Sequence, residues 1–214
     1  MPDYIQSRHC YPGTDVLINH FDIRDPTVLE ALERTVAGER LAELQIRPLT
    51  GRFDLRHWQA IHRYVFGDIY PFAGKLRDEV ITKGDLRYAQ PQFIAVAADD
   101  CLRQLRVEKH LVGLDRPAFI RRAAHYMTEL YAIHPFREGN SRSLREFVRT
   151  LALQAGYQIQ WPQLPPVPWF DTMRAAFYGN LDGLRGLLDA AILNHAPSRH
   201  LMAQYRRLSR GPAR

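Results

Sequence analysis

The chain has 214 residues, 46% of them hydrophobic and 24% charged, and a formal net charge of +6 at pH 7. That balance belongs to one soluble globular domain with a substantial core and excludes a disordered chain. Two cysteines, Cys10 and Cys101, are too few for a disulfide framework, and no run of 18 apolar residues offers a membrane span. Met1 to Tyr11 lacks the apolar segment of a secretory leader, so the expected setting is the reducing cytoplasm. The positive charge fits an anionic ligand or an acidic partner. No basic face interleaved with aromatics marks a nucleic-acid binder, so neither a membrane nor a direct nucleic-acid partner is expected.

The first 26 residues carry turn signals at Pro12-Gly13 and Asp25-Pro26. A helix is predicted from about Thr27, because Val28, Leu32, Val36, Leu41 and Leu44 keep helical spacing until Pro48. A second follows Asp54, an N-cap, through Trp58, Ile61, His62 and Val65; on that apolar face His62 reads as a core histidine, not a ligand. Residues 67–90 change character. Asp68 to Gly74 is a connection, Glu79-Val80-Ile81-Thr82 a strand, Lys83-Gly84-Asp85 a turn and Leu86-Arg87-Tyr88-Ala89 a second strand. Such a hairpin is marginal alone and must lie against the helices. Helical spacing resumes over Phe93 to Leu105 and again over Pro117 to Ile133, where Ile120, Ala124, Met127 and Tyr131 form the stripe.

That last helix leads into the densest chemistry in the chain, His134-Pro135-Phe136-Arg137-Glu138-Gly139-Asn140-Ser141-Arg142-Ser143-Leu144-Arg145. Pro135 is expected to end the helix and hold His134 in an extended backbone. Asn140 reads as the N-cap of the next helix, with Gly139 giving the turn, and Leu144, Phe147, Val148, Leu151 and Ala155 carry that helix to Gly156. A helix start of this kind, with free N–H groups and a positive dipole end, favours an anion. Arg142, Arg145 and Arg149 share one face; Glu146 can relieve Arg142 four residues on, whereas Arg145 has only Ser141 and Arg149 at that spacing. A polyanion across the helix start accounts for both features. Glu138 is placed to hold Mg²⁺ between phosphate oxygens. His134, with an ordinary pKa of about 6.5, suits proton abstraction from a hydroxyl at neutral pH. The combination reads as a phosphate-transfer site.

Beyond Gly156, Trp161 to Trp169 holds Pro162, Pro165, Pro166 and Pro168 and reads as a stiff surface connector. Two more helices are predicted, Phe170 to Tyr178 and Leu181 to His195, around Gly179-Asn180. The tail from Pro197 to Arg214 carries Arg199, Arg206, Arg207, Arg210 and Arg214 and reads as a solvated basic end.

The stretch His134 to Arg145 resembles the signature of the Fic family, H-x-F-x-[D/E]-G-N-[G/K]-R-x-x-R, at every fixed position but one: Ser141 stands where Gly or Lys is usual. Ile61-His62, the stretch Phe66 to Arg77 with its Ala73-Gly74, and the Thr82-Lys83-Gly84 turn resemble the Fic core ahead of its motif. The resemblance thus covers about residues 12–195. It implies a mainly α, compact helical fold with a short β-hairpin flap, the whole chain forming one domain with residues 197–214 as its basic tail. It implies a protein adenylyltransferase, which moves AMP from Mg·ATP to a hydroxyl side chain of a target protein. By position, His134 would deprotonate that hydroxyl, Phe136 would anchor the loop in the core and Glu138 would hold Mg²⁺. Gly139, Asn140 and Ser141 would present backbone N–H groups, and Asn140 its amide, to the α- and β-phosphates. Arg142 would bind the β-phosphate and Arg145 the γ-phosphate. Thr82, Lys83 and Gly84 would form the flap over the nucleotide, aligning the target's segment by strand addition, and Asn180 would lie near the adenine.

Small Fic proteins of this kind resemble toxins that modify the ATPase subunits of DNA gyrase and topoisomerase IV, so those are the expected targets. Members are commonly restrained by [S/T]-x-x-x-E-[G/N], whose Glu pairs with the second motif arginine, here Arg145. Only Thr35-Val36-Ala37-Gly38-Glu39 is similar, with Arg40 in the final place and the segment inside the first helix. The resemblance therefore implies a small separate antitoxin that supplies the Glu. The alternative is a nucleotide-binding interaction module without transfer, argued from Ser141, a side chain where backbone approaches phosphate.

Overall fold

Three aspartates start three of the helices. In the computed structural model, which describes residues 6–161 and 166–210, the Asp25 carboxylate accepts from the N–H groups of Thr27 and Val28 and opens α1 (Pro26–Ile46). Asp54 accepts from His57 and opens α2 (Leu55–Phe66), and Asp115 accepts from Ala118 at the head of α4 (Arg116–Ile133). Each such cap stabilises its helix by about 1 kcal/mol. Between α2 and α4 lie the hairpin strands β1 (Thr82–Lys83) and β2 (Leu86–Arg87), then α3 (Ile94–Val107). After α4 come α5 (Asn140–Ala155), α6 (Pro166–Phe177), α7 (Asp182–Ala191) and α8 (Arg199–Arg210). The described residues thus form eight α-helices and one two-stranded antiparallel sheet, the mainly α fold with a short hairpin that the sequence implies. None of these helices is long and apolar enough to cross a membrane.

The core is built around α5, which packs on α2, α4 and α8. Eleven of its residues are buried, among them Leu144, Phe147, Val148 and Leu151 from the expected stripe. Burial also claims two charges that the sequence assigns differently. Arg149 does not join Arg142 and Arg145 on an anion-binding face. Its Nε and Nη2 donate to Glu146 at 2.7 and 2.6 Å, and Nη2 also donates to the Leu44 carbonyl at 2.8 Å. Glu146 is thereby committed to Arg149, not to Arg142. A cation buried this deeply is tolerated only with a partner and further hydrogen bonds; α5 supplies the partner three residues away and α1 the further acceptor, the Leu44 carbonyl.

Four further expectations are corrected. The strands are shorter than drawn, pairing only Thr82 with Arg87 and Lys83 with Leu86. Upstream, Glu79 is diverted to accept from the Ser7 hydroxyl and the Arg8 N–H, and downstream the Ala89 N–H donates to Ala132 at the end of α4. The proline-rich connector is partly helical: α6 starts at Pro166, prolines being tolerated in a first turn, and Trp169 is buried, while residues 162–165 lie outside the described part. The helix drawn to His195 stops at Ala191, because Ile192 leaves to form a bridge with Ile159. The basic end is not simply solvated: α8 returns to α5 and buries Tyr205, leaving Arg206 and Arg207 exposed.

Candidate active site

Helix α4 ends at His134, but not in the extended backbone expected before Pro135. His134 is left-handed (φ 48°, ψ 63°), and its N–H still reaches the Leu130 carbonyl at 3.3 Å. The turn is held from outside: the Arg77 Nε–H donates to the His134 carbonyl at 2.7 Å and the Arg77 backbone N–H to the Pro135 carbonyl at 2.8 Å. The imidazole lies flat against the Tyr88 ring, 3.7 Å between centroids, with the Tyr131 ring edge-on at 5.5 Å. Burial first, then Arg77 and Lys83, pull its pKa down to about 3 against the Tyr131 carbonyl. His134 is therefore neutral at physiological pH, with a lone pair for a proton.

The loop beyond it is tied to the core. Phe136 is fully buried, stacked on His62 at 3.9 Å and edge-on to Trp58 at 5.4 Å. His62 is a core histidine, as expected, yet it also shapes the site. Its Nδ1 accepts from the Gly74 N–H at 2.9 Å, which leaves Nε2–H to donate to the Glu138 carbonyl at 2.7 Å. Burial lowers its pKa to about 4, so it stays neutral in that role. Gly139 (φ 78°, ψ 6°) is the N-cap of α5, and Asn140 is the first helical residue rather than the cap. A Cβ at Gly139 would lie 2.4 Å from the Phe66 ring, so only glycine fits both the φ and the space. The Asn140 amide, expected on phosphate, instead bonds Phe136 twice, accepting from its N–H at 2.8 Å and donating to its carbonyl at 2.7 Å.

With that scaffold set, the first intrahelical bond of α5 runs from Ser143 N–H to the Gly139 carbonyl at 3.0 Å. The N–H groups of Asn140, Ser141 and Arg142 precede it at the positive end of the helix. They face a cleft of about 950 Å³ between α1, the hairpin and the starts of α5 and α6. Ser141 lines it in ordinary right-handed helix, with no positive φ that would demand glycine.

The two motif arginines differ. Arg142 bonds Glu33 of α1 at 2.5 Å, stands 3.6 Å from Glu138 and lies over the Phe66 ring at 4.7 Å. The Tyr70 hydroxyl donates to the other Glu33 oxygen. Glu33 was not legible in the sequence, since no local spacing links residues 109 positions apart. Arg145 makes no ion pair among the described residues. Its guanidinium lies 4.9 Å from the Trp169 ring centroid, and burial, then repulsion from Arg142, lower its pKa. It is a desolvated cation facing a cleft.

Thr82 and Lys83 line the same cleft, whereas Gly84 sits at the hairpin turn (φ 59°) beside Phe170. The Asp85–Arg174 ion pair at 2.5 Å pins that turn to α6. Asn180 lies apart from the cleft lining, its Oδ1 accepting from the Asp182 N–H and its own N–H donating to Ala175. Glu138 lines the cleft with its carboxylate about half exposed and Oε1 accepting from the Gly139 N–H at 2.8 Å. An accessible carboxylate beside a phosphate-sized anion site fits Mg²⁺, which takes one or two carboxylates with phosphate oxygens.

The profile of the Fic/DOC family matches residues 52–152. The "Protein adenylyltransferase VbhT" of Bartonella schoenbuchensis is 41% identical over 177 residues, which span 83% of this chain but only 37% of that longer protein. The "Probable protein adenylyltransferase Fic" of Escherichia coli strain K12 is 32% identical over 184 residues, 86% of this chain and 91% of its own. Among solved structures, the BepC effector of Bartonella tribocorum with bound AMPPNP superposes with a TM-score of 0.80 over 86% of this chain and 96% of that one. Its 24% identity makes that a likeness of fold.

Proposed function

This chain belongs to the Fic/DOC family, and we propose that it is a protein adenylyltransferase that moves AMP from ATP onto a hydroxyl side chain of another protein in the cytoplasm. The observation that carries the reading is one cleft in which a neutral imidazole, three open N–H groups of a helix start and an unpaired arginine converge. The triphosphate lies across the start of α5. Backbone N–H groups of Asn140, Ser141 and Arg142 receive the α- and β-phosphates, the Arg142 guanidinium the β-phosphate and Arg145 the γ-phosphate. Gly139 makes the tight turn, packed on Phe66, from which α5 and its N–H groups start. Glu138 would hold Mg²⁺, which when bound would neutralise phosphate charge. Thr82, Lys83 and Gly84 of the hairpin cover the nucleotide and align the acceptor segment.

His134 accepts the proton of the acceptor hydroxyl. The hydroxyl oxygen bonds the α-phosphorus, the bond from that phosphorus to the oxygen bridging the β-phosphate breaks, and pyrophosphate leaves with both electrons. Positioning and fixed positive charge supply most of the barrier reduction. Ser141 supports this reading over a mute binding module, because its backbone needs no glycine and its hydroxyl can donate to phosphate.

The acceptor we propose is the ATPase subunit of a type II topoisomerase, DNA gyrase or topoisomerase IV, as for the small Fic toxins that the motif resembles. An inhibitory Glu would come from a small antitoxin, supported by an Arg145 that has no carboxylate partner among the described residues. The experiment is to incubate the chain with Mg·ATP and each purified topoisomerase ATPase subunit and record intact masses. A gain of one adenylyl group supports the reading; bound nucleotide with no modified protein, across a whole lysate, overturns it.

A further inference from the structure

We infer that Arg77 is a positioning residue for the transfer, a single planar group that fastens both legs of the hairpin to the His134 turn and so fixes where the imidazole stands. The inference rests on the reading of His134 as the base. Arg77 is almost completely buried. Its Nε donates to the His134 carbonyl at 2.7 Å and its Nη2 to the Ile133 carbonyl at 3.2 Å, both at the end of α4. Its Nη1 donates to the Glu79 carbonyl at 2.7 Å, before β1, and its Nη2 to the Ala89 carbonyl at 2.6 Å, after β2. Its backbone N–H takes the Pro135 carbonyl, and the Ala89 N–H takes Ala132. Every carbonyl from Ala132 to Pro135 is thus held by residue 77 or residue 89.

A helix end needs no cation for this: roughly a third to a half of helices close on a left-handed residue, usually glycine, with no charged group. Buried arginines are ordinarily paired, as Arg149 is with Glu146. Arg77 has no carboxylate partner among the described residues, and what it faces is the negative end of α4 and four carbonyl dipoles. The fork matters for reach, since only a planar five-donor group meets four carbonyls from two elements at once. The charge matters for chemistry. The groups around the His134 ring are Tyr88 and Tyr131 in contact, Lys83 on the hairpin, Arg137 and Glu138 along the cleft, and Arg77 behind its carbonyl. Arg77 is buried behind the turn and does not line the cleft, so it acts on the base from outside the space a ligand would fill.

The test uses Arg77→Lys and Arg77→Met, assayed for transfer of label from α-phosphate-labelled ATP to a bacterial lysate, with NMR titration of the His134 imidazole. Arg77→Lys keeps the charge and loses the fork. It should lower kcat at least about tenfold with ATP affinity within about twofold and the acid limb of the rate unmoved. Arg77→Met should lose as much and also move the acid limb and the imidazole titration to higher pH. Loss of thermal stability alone, with kcat and titration unchanged in both, overturns the inference. If neither variant folds, Arg77→Gln, which keeps side-chain donors without the charge, decides by the same readouts: unchanged kcat and titration overturn the inference, and a fall in kcat of about tenfold or more with the acid limb moved to higher pH supports it. His134→Ala separates this from the underlying reading. Transfer surviving in that variant sinks the base assignment, whereas transfer lost there but normal in the Arg77 variants sinks only the role of Arg77.

Discussion

Asn140 holds Phe136 by both ends of its amide, accepting from the Phe136 N–H at 2.8 Å and donating to the Phe136 carbonyl at 2.7 Å. The side chain that the family motif would aim at phosphate is thus a clamp that keeps the loop shut, which leaves the N–H groups of the helix it begins as the proposed phosphate donors. Asn140→Ala leaves two buried backbone groups unpaired, an expected cost of about 2–4 kcal/mol and a fall of roughly 5–15 °C in Tm. ATP affinity should fall at least about tenfold, because the N–H groups lose their common aim. Calorimetry of binding and melting checks both; an unchanged Tm would show that the clamp is not a structural one.

His134→Ala tests the base. Removing a general base costs on the order of 10²–10⁴ in rate, while the proposed phosphate donors, Asn140 to Arg145, are untouched. Transfer should vanish into background and ATP binding persist. Labelling at the wild-type rate would refute the assignment.

Ser141 replaces the Gly or Lys of the usual motif and lies in right-handed helix at the cleft edge. Ser141→Gly should change transfer by less than about tenfold, roughly 1.4 kcal/mol. Single-turnover rates decide it, and a much larger gain would mean that the native serine obstructs the nucleotide.

What the sequence disclosed and what it hid follow one line. Helices α1, α2 and α4 were legible because apolar spacing is a local signal, joined at α2 by the Asp54 cap, and the motif loop because its residues lie within twelve positions; the Asp25 and Asp115 caps emerge only in the structure. Hidden were the contacts that reach across the fold: Glu33 on Arg142, His62 on the Glu138 carbonyl, Arg77 on the His134 turn. The misassigned Glu146 has the same cause. Spacing along α5 offers both Arg142 and Arg149, and only burial, invisible in a single helix, selects Arg149. The left-handed His134 is likewise set by Arg77, not by Pro135 alone.

The histidines make folding acid-sensitive. His62 is lowered to about 4 by burial, His134 to about 3, and burial also lowers His57 and His110. As pH falls below about 6.5 the unfolded chain takes up protons that the folded chain refuses, so stability is complete above that value and drains away toward pH 4. For His62 alone the drop from 6.5 to about 4 is worth roughly 3 kcal/mol. Tm should therefore decline from pH 6.5 to 4.5, and His62→Gln, which cannot titrate, should flatten that decline. A flat wild-type profile over this window would contradict the buried, neutral assignment.

The last prediction concerns restraint. Thr35 to Glu39 is the one stretch similar to an inhibitory motif, and it lies in the middle of α1, where the Thr35 hydroxyl donates to Ala31 and the Glu39 side chain is exposed. The neighbouring Arg40 is engaged by Glu43 and Asp68, so the helix surface there is tied to α1 and the α2 connection. Two acids of α1 line the cleft, and neither pairs with Arg145: Glu30 bonds Arg34 and Glu33 meets Arg142. Arg145 faces Trp169 and has no carboxylate partner among the described residues, so a carboxylate from another chain could pair with a desolvated cation there. Glu39→Gly in the purified chain, free of any other protein, should leave transfer within about twofold of wild type, less than roughly 0.5 kcal/mol. A small protein that silences transfer through a Glu, and loses its grip when Arg145 becomes Lys, should be recovered with the native chain. Strong activation by Glu39→Gly alone would place the inhibitor inside α1 and end the two-protein account.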